Sequence, residues 1–80
     1  MIMDNITEVV ALLRQQAELE RELLNGRGTA VAAERALDIT RQRLAQHPQA
    51  LNAVLQTARA LRRTPDAVSA WDVVHWNSSN

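Results

Sequence analysis

The sequence predicts an all-α protein, a small helical bundle built on a long antiparallel hairpin. Three observations carry this expectation. Alanine, leucine, glutamine, arginine and glutamate dominate the chain, and all are strong helix formers. Glycine and proline occur only at Gly26, Gly28, Pro48 and Pro65, where they punctuate four helix-forming stretches. No useful window alternates apolar and polar residues as a half-buried strand would.

The first helix is predicted over about residues 6–24. Asp4 or Asn5 can cap it, and Glu8 sits in the first turn, where the helix dipole favours an anion. Ile6, Val9, Val10, Leu13, Ala17 and Leu24 recur at helical spacing, with Leu12, Leu19 and Leu23 as an adjacent stripe. An apolar face this wide suits a helix packed on more than one neighbour. Asn25-Gly26-Arg27-Gly28-Thr29 is the expected loop: a glycine takes the left-handed conformation that ends a helix, and Thr29 caps the next. It lacks the strand before it and the Lys-Ser/Thr pair after it that a phosphate-binding loop needs.

The second helix is expected over about residues 30–46. It is rich in alanine, with Val31, Leu37, Ile39 and Leu44 as its larger apolar positions. The first two helices have similar lengths and a short connection, which implies antiparallel neighbours. Proline disfavours helix in the residue before it but suits the first helical position, so His47-Pro48 marks a stop and a start. The third helix then covers about 48–62, with Leu51, Val54, Leu55, Ala58 and Leu61 as its apolar stripe. Thr64-Pro65-Asp66 repeats the device and opens a fourth helix over about 65–76. There Val68, Trp71, Val74 and His75 share a face, with Trp71 expected in the core. The reading is one domain, 1–76, with 77–80 as a disordered tail.

Size and composition bound the function. Eighty residues bury only about 60% of their unfolded surface. A single core of this size seldom supplies more than roughly 3–5 kcal/mol. The chain has no cysteine, so neither a disulfide nor a thiolate metal site adds to that. Self-association or a protein partner is the expected remedy. The net charge is zero, which argues against a general nucleic-acid or membrane-surface binder. Every basic side chain is arginine, which removes lysine-based covalent catalysis and fits GC-rich coding. The chain starts without a basic leader and apolar core, and its apolar runs are too short to span a bilayer. It is expected to be soluble and cytoplasmic.

Residues 54–73 hold the densest chemical signal. A helix-turn-helix motif wants a small residue at its fifth place, usually glycine at its ninth and a branched apolar residue at its fifteenth. Counted from Val54, those places hold Ala58, Arg62 and Val68. The phrase ARALRRTPDAVSAW resembles the helix-turn-helix segments of repressors, and it departs from them at Arg62. The resemblance implies a small DNA-binding transcription regulator with Arg59, Arg62, Arg63 and Ser69 as contacts. Against this, the helix expected to enter the groove, PDAVSAWDVVHW, has no basic residue except His75. It also carries Asp66 and Asp72, which repel phosphates.

Other chemistries have less support. Neither histidine has a partner at metal-ligand spacing. Ser69, Ser78 and Ser79 stand in no nucleophile–base arrangement, and Glu18, Glu20 and Glu22 read as a solvated helix face. The expectation is a protein without enzymatic activity, metal, cofactor or small-molecule substrate. Its function is expected to be protein–protein interaction of the adaptor, small-chaperone or inhibitor type, through a homo-oligomer or another protein. The candidate partner-binding residues are Leu12, Leu19, Leu23 and Trp76.

Overall fold

A computed structural model of the chain describes the backbone of residues 2–26 and 29–79, and the side chains of 5–26 and 29–76. Four helices follow in order: α1 (Ile2–Leu24), α2 (Ala30–Ala45), α3 (Pro48–Leu61) and α4 (Ala70–Ser79), with a 3₁₀ turn at Pro65–Ala67 before the last. No strand occurs among the described residues.

α1 starts at Ile2, a turn before the expected start, so Asp4 and Asn5 lie inside the helix and do not cap it. Nothing in that segment breaks a helix. The helix ends as expected. The Asn25 N–H donates to the Arg21 carbonyl at 3.0 Å, and Gly26 has φ +67°, a conformation that strains any other residue. Arg27 and Gly28 of the expected loop lie outside the described residues. Thr29 has the extended backbone of a cap, but its side chain does not bond the first turn of α2.

Pro48 opens α3 as expected, and the His47 carbonyl accepts the Leu51 N–H at 2.9 Å. α3 stops because Arg62 turns left-handed, at φ 56° and ψ 44°, and the Arg63 N–H donates back to the Ala58 carbonyl at 2.9 Å. This is the closure usually given to glycine.

The expected single helix over 65–76 is in fact two elements. The chain makes one 3₁₀ turn, goes extended at Val68 (φ −91°, ψ 135°), and restarts at Ala70. Side-chain direction explains the break. Val68 and Val73 are both fully buried in one core cluster. On one continuous helix they would point about 140° apart, at about 100° per residue. Breaking at Val68–Ser69 turns both inward. The same break carries Trp71 outward, where it is 69% exposed, so it is not the core residue the pattern suggested. Trp71 stacks flat on His75 one turn later, with ring centroids 4.6 Å apart. At the other end, the backbone of 77–79 continues α4 instead of forming a tail, and Asn80 lies outside the described residues.

The core joins Ile6, Val9, Val10 and Leu12 of α1 to Leu44, Ala50, Val54, Ala58, Val68 and Val73. α1 touches every other element. Beyond this cluster α1 and α2 run on as a hairpin that buries Ala33 and Leu37. Two buried threonines are satisfied locally: Thr40 donates to the Ala36 carbonyl at 2.7 Å and Thr57 to that of Ala53 at 2.8 Å. The Gln15 amide reaches across to the Thr40 hydroxyl at 3.2 Å, which fixes the side of α1 that faces α2.

The result is flat. The Cα extents are 43 × 24 × 14 Å. With helix axes about 9 Å apart, that is at most three helices wide and two thick. The radius of gyration is 13.4 Å, against about 11.6 Å for a compact domain of this length. Several residues expected on apolar faces are exposed in consequence, among them Leu24 (87%), Val31 (77%), Ile39 and Leu55.

Val54 is fully buried where α3 meets α1, so Val54→Ala is expected to lower the unfolding free energy by about 2 kcal/mol, read by urea denaturation at fixed protein concentration.

Candidate interaction groove

α2 and α3 leave their shared turn at 46–47 and have few contacts with each other afterwards. The His47 Nε2 lies 3.1 Å from a Glu8 carboxylate oxygen, which ties this turn to α1. Between the two helices runs an apolar groove of about 480 Å³. Leu13 and Gln16 of α1 form its floor. Arg41, Leu44 and Ala45 make the α2 wall, and Leu51 and Leu55 the α3 wall, with Pro65 at the end.

A smaller depression of about 150 Å³ adjoins it, lined by Leu13, Gln16, Ala17, Glu20, Pro65 and Asp66. Leu13, Gln16 and Pro65 belong to both and form the saddle between them. One flank of the saddle therefore carries Arg41, and the other carries Glu20 and Asp66.

Leu55 shows how sequence places this groove. Val54 and Leu55 are consecutive, so their side chains leave the helix about 100° apart. Val54 is fully buried against α1, which turns Leu55 toward the groove, where it is 42% exposed. Leu13 and Leu51 are half-buried and pack on the edge of the core. In the sequence all three leucines fall on stripes expected in the core, so the groove is not visible there. Two adjacent large apolar residues on α3 were the available signal.

The residues singled out from the sequence lie elsewhere and do not converge. Leu12 is 6% exposed and belongs to the core, so it is no docking residue. Leu19 and Leu23 follow Leu12 at steps of seven and four, on the side of α1 that α2 covers, and both are half-buried. Trp76 is half-buried in α4.

Arg59 and Arg62 are exposed. Arg63 is committed to Asp72, with Nη1 3.3 Å from the carboxylate. Ser69 is committed to capping. Its N–H donates to the Asp72 carboxylate at 3.0 Å, and its hydroxyl accepts the Asp72 N–H at 3.1 Å. This reciprocal pair starts α4, and Ser69-x-x-Asp72 was legible as a capping box. Where a helix-turn-helix would begin its recognition helix, the chain has only the 3₁₀ turn, and α4 itself carries no arginine.

The capping geometry acts on Asp72. The Ser69 N–H, then the Ser69 hydroxyl, hold its carboxyl below the ordinary value of 3.8, and the charges of Arg63 and His75 act in the same direction. Among the described residues no group of three or more histidine, cysteine or acidic side chains could hold a metal ion. No helix among them is long and apolar enough to cross a membrane. No protein-family model matches the chain, and no curated protein or solved structure is significantly similar to it.

A carboxylate with a depressed pKa stabilises the fold above its unfolded value and loses that contribution as pH falls through the lower folded value. The Asp72 carboxyl is therefore expected to titrate with a midpoint below 3.8 in a side-chain NMR titration. Ser69→Ala, which removes the hydroxyl cap, is expected to cost about 1 kcal/mol in thermal or urea unfolding.

Proposed function

We propose that this chain is a non-enzymatic, cytoplasmic protein–protein interaction module that self-associates through the groove between α2 and α3. The observation that carries the reading is an open apolar groove on a protomer with too much surface for its mass. The chain exposes 5728 Å². A folded monomer of 8.9 kDa exposes about 4,800 Å². The excess, about 900 Å², follows from the flat shape of the whole chain, and a second copy laid on one face would cover part of it.

The groove's chemistry supports the same role. Its lining is mostly leucine, alanine and proline, with Gln16 as the one uncharged polar side chain and Arg41 as the one charge, a composition that suits an apolar interface core. A second copy covering it would add the burial that a thin core lacks. The biological role would be that of an adaptor, small chaperone or inhibitor, in which assembly presents or masks a helical surface.

Leu55→Glu places a charge in the groove without touching the α3 core face. It is expected to convert the wild-type dimer to monomer in sedimentation or light scattering across a concentration series, with helicity by circular dichroism retained. A wild-type protein that stays monomeric at every concentration would overturn self-association. Salt-dependent binding to DNA, lost in Arg62→Ala and Arg63→Ala, would favour the transcription-regulator reading of residues 54–73 instead.

A further inference from the structure

We propose that two copies meet at this groove about a two-fold axis through the Leu13–Gln16–Pro65 saddle, so that Arg41 of each copy lies against Glu20 of the other. This rests on the reading of the chain as a self-associating module and specifies how it associates.

Symmetry sets the first requirement. In a two-fold interface the same patch serves both copies, and a point on one side of the axis faces the opposite side of the other copy's patch. A patch with like charges on both flanks repels itself in that arrangement, and a patch with opposite charges on its flanks attracts itself. The saddle is of the second kind. Arg41 stands on its α2 flank. Glu20 and Asp66 stand on the other. Rotation through 180° brings each Arg41 to the acidic flank of the second copy and each acidic flank to an arginine.

Shape follows the same sign. The groove that holds Arg41 on one wall holds Leu55, 42% exposed, on the other. The acidic flank carries the small depression beside Ala17, about 150 Å³ in volume. The rotation that pairs the charges also lays the leucine-bearing groove of each copy over the depression of the other that contains the small Ala17.

Charge is also unevenly divided along the chain. α1 carries Asp4, Glu8, Glu18, Glu20 and Glu22 against Arg14 and Arg21, so arginine is in excess over the rest of a chain whose net charge is zero. Charges at such a rim set register and exclude wrong partners more than they add affinity.

The test uses the full chain and two single variants, Arg41→Glu and Glu20→Arg. Both positions are exposed, so each variant is expected to keep the wild-type circular dichroism spectrum. Alone, each places like charges at both rim contacts, and its dimer is expected to dissociate about tenfold more readily, roughly threefold for each of two symmetric contacts. Mixed in equal amounts, they are expected to form a heterodimer, tagged and resolved by native mass spectrometry, in preference to either homodimer. There the carboxylate introduced by Arg41→Glu meets the guanidinium introduced by Glu20→Arg. At the second contact the unchanged Glu20 of one variant meets the unchanged Arg41 of the other. The double variant, carrying both substitutions, is expected to recover wild-type affinity.

If the wild type dimerises but the single variants dimerise equally well and mix without preference, the two-fold register is wrong while self-association stands. If the wild type never dimerises, both are overturned, and the groove belongs to a different protein.

Discussion

Ile6, Val9, Val10 and Leu12 of α1 are all buried, and every other element packs on the helix that carries them. Four apolar side chains so close together point in more than one direction around a helix. α1 therefore has to be covered from several sides at once. α2 takes one side, held at Thr40 and Gln15. α3, the 3₁₀ turn and α4 take another. Because α2 and α3 reach α1 from different directions, they do not close over it, and the gap between them is the groove. The candidate site is thus a consequence of the way the core is built.

The second half of the chain is shaped by the same demand. A continuous helix from Pro65 would satisfy local preference, but it would turn either Val68 or Val73 away from α1. Breaking the helix leaves backbone groups to be paired, and the Ser69–Asp72 box pairs them at once. Two buried valines and two capping bonds outweigh the loss of one helical turn. The consequences are visible on the surface: Trp71 faces out beside His75, Arg63 is drawn to Asp72, and the arginines near the turn are not backed by a recognition helix.

A plate two helices thick has little interior relative to its area, and its stability margin is correspondingly small. Covering the groove with a second copy would thicken the plate at an apolar surface. The sorting of acid and base across the saddle gives such a contact a preferred direction, since an apolar groove alone would accept many orientations.

The helical class, the breaks near Gly26, Pro48 and Pro65, the hairpin and the near-correct ends of α2 and α3 were all legible in the sequence. These features are local: helix propensity, a proline at a first turn and a glycine at a left-handed position act over a few residues. The Ser69–Asp72 cap was equally local and was masked by the stronger signal of Thr64-Pro65-Asp66. The tertiary structure alone decided which apolar face each helix buries. α1 carries two stripes, α3 has Val54 beside Leu55, and residues 68–76 offer valines and tryptophans on several sides. Sequence marks all of these as apolar without ranking them. Only the positions of neighbouring helices send Leu12 and Val54 inward and turn Leu55 and Trp71 outward, because burial depends on what stands opposite a side chain.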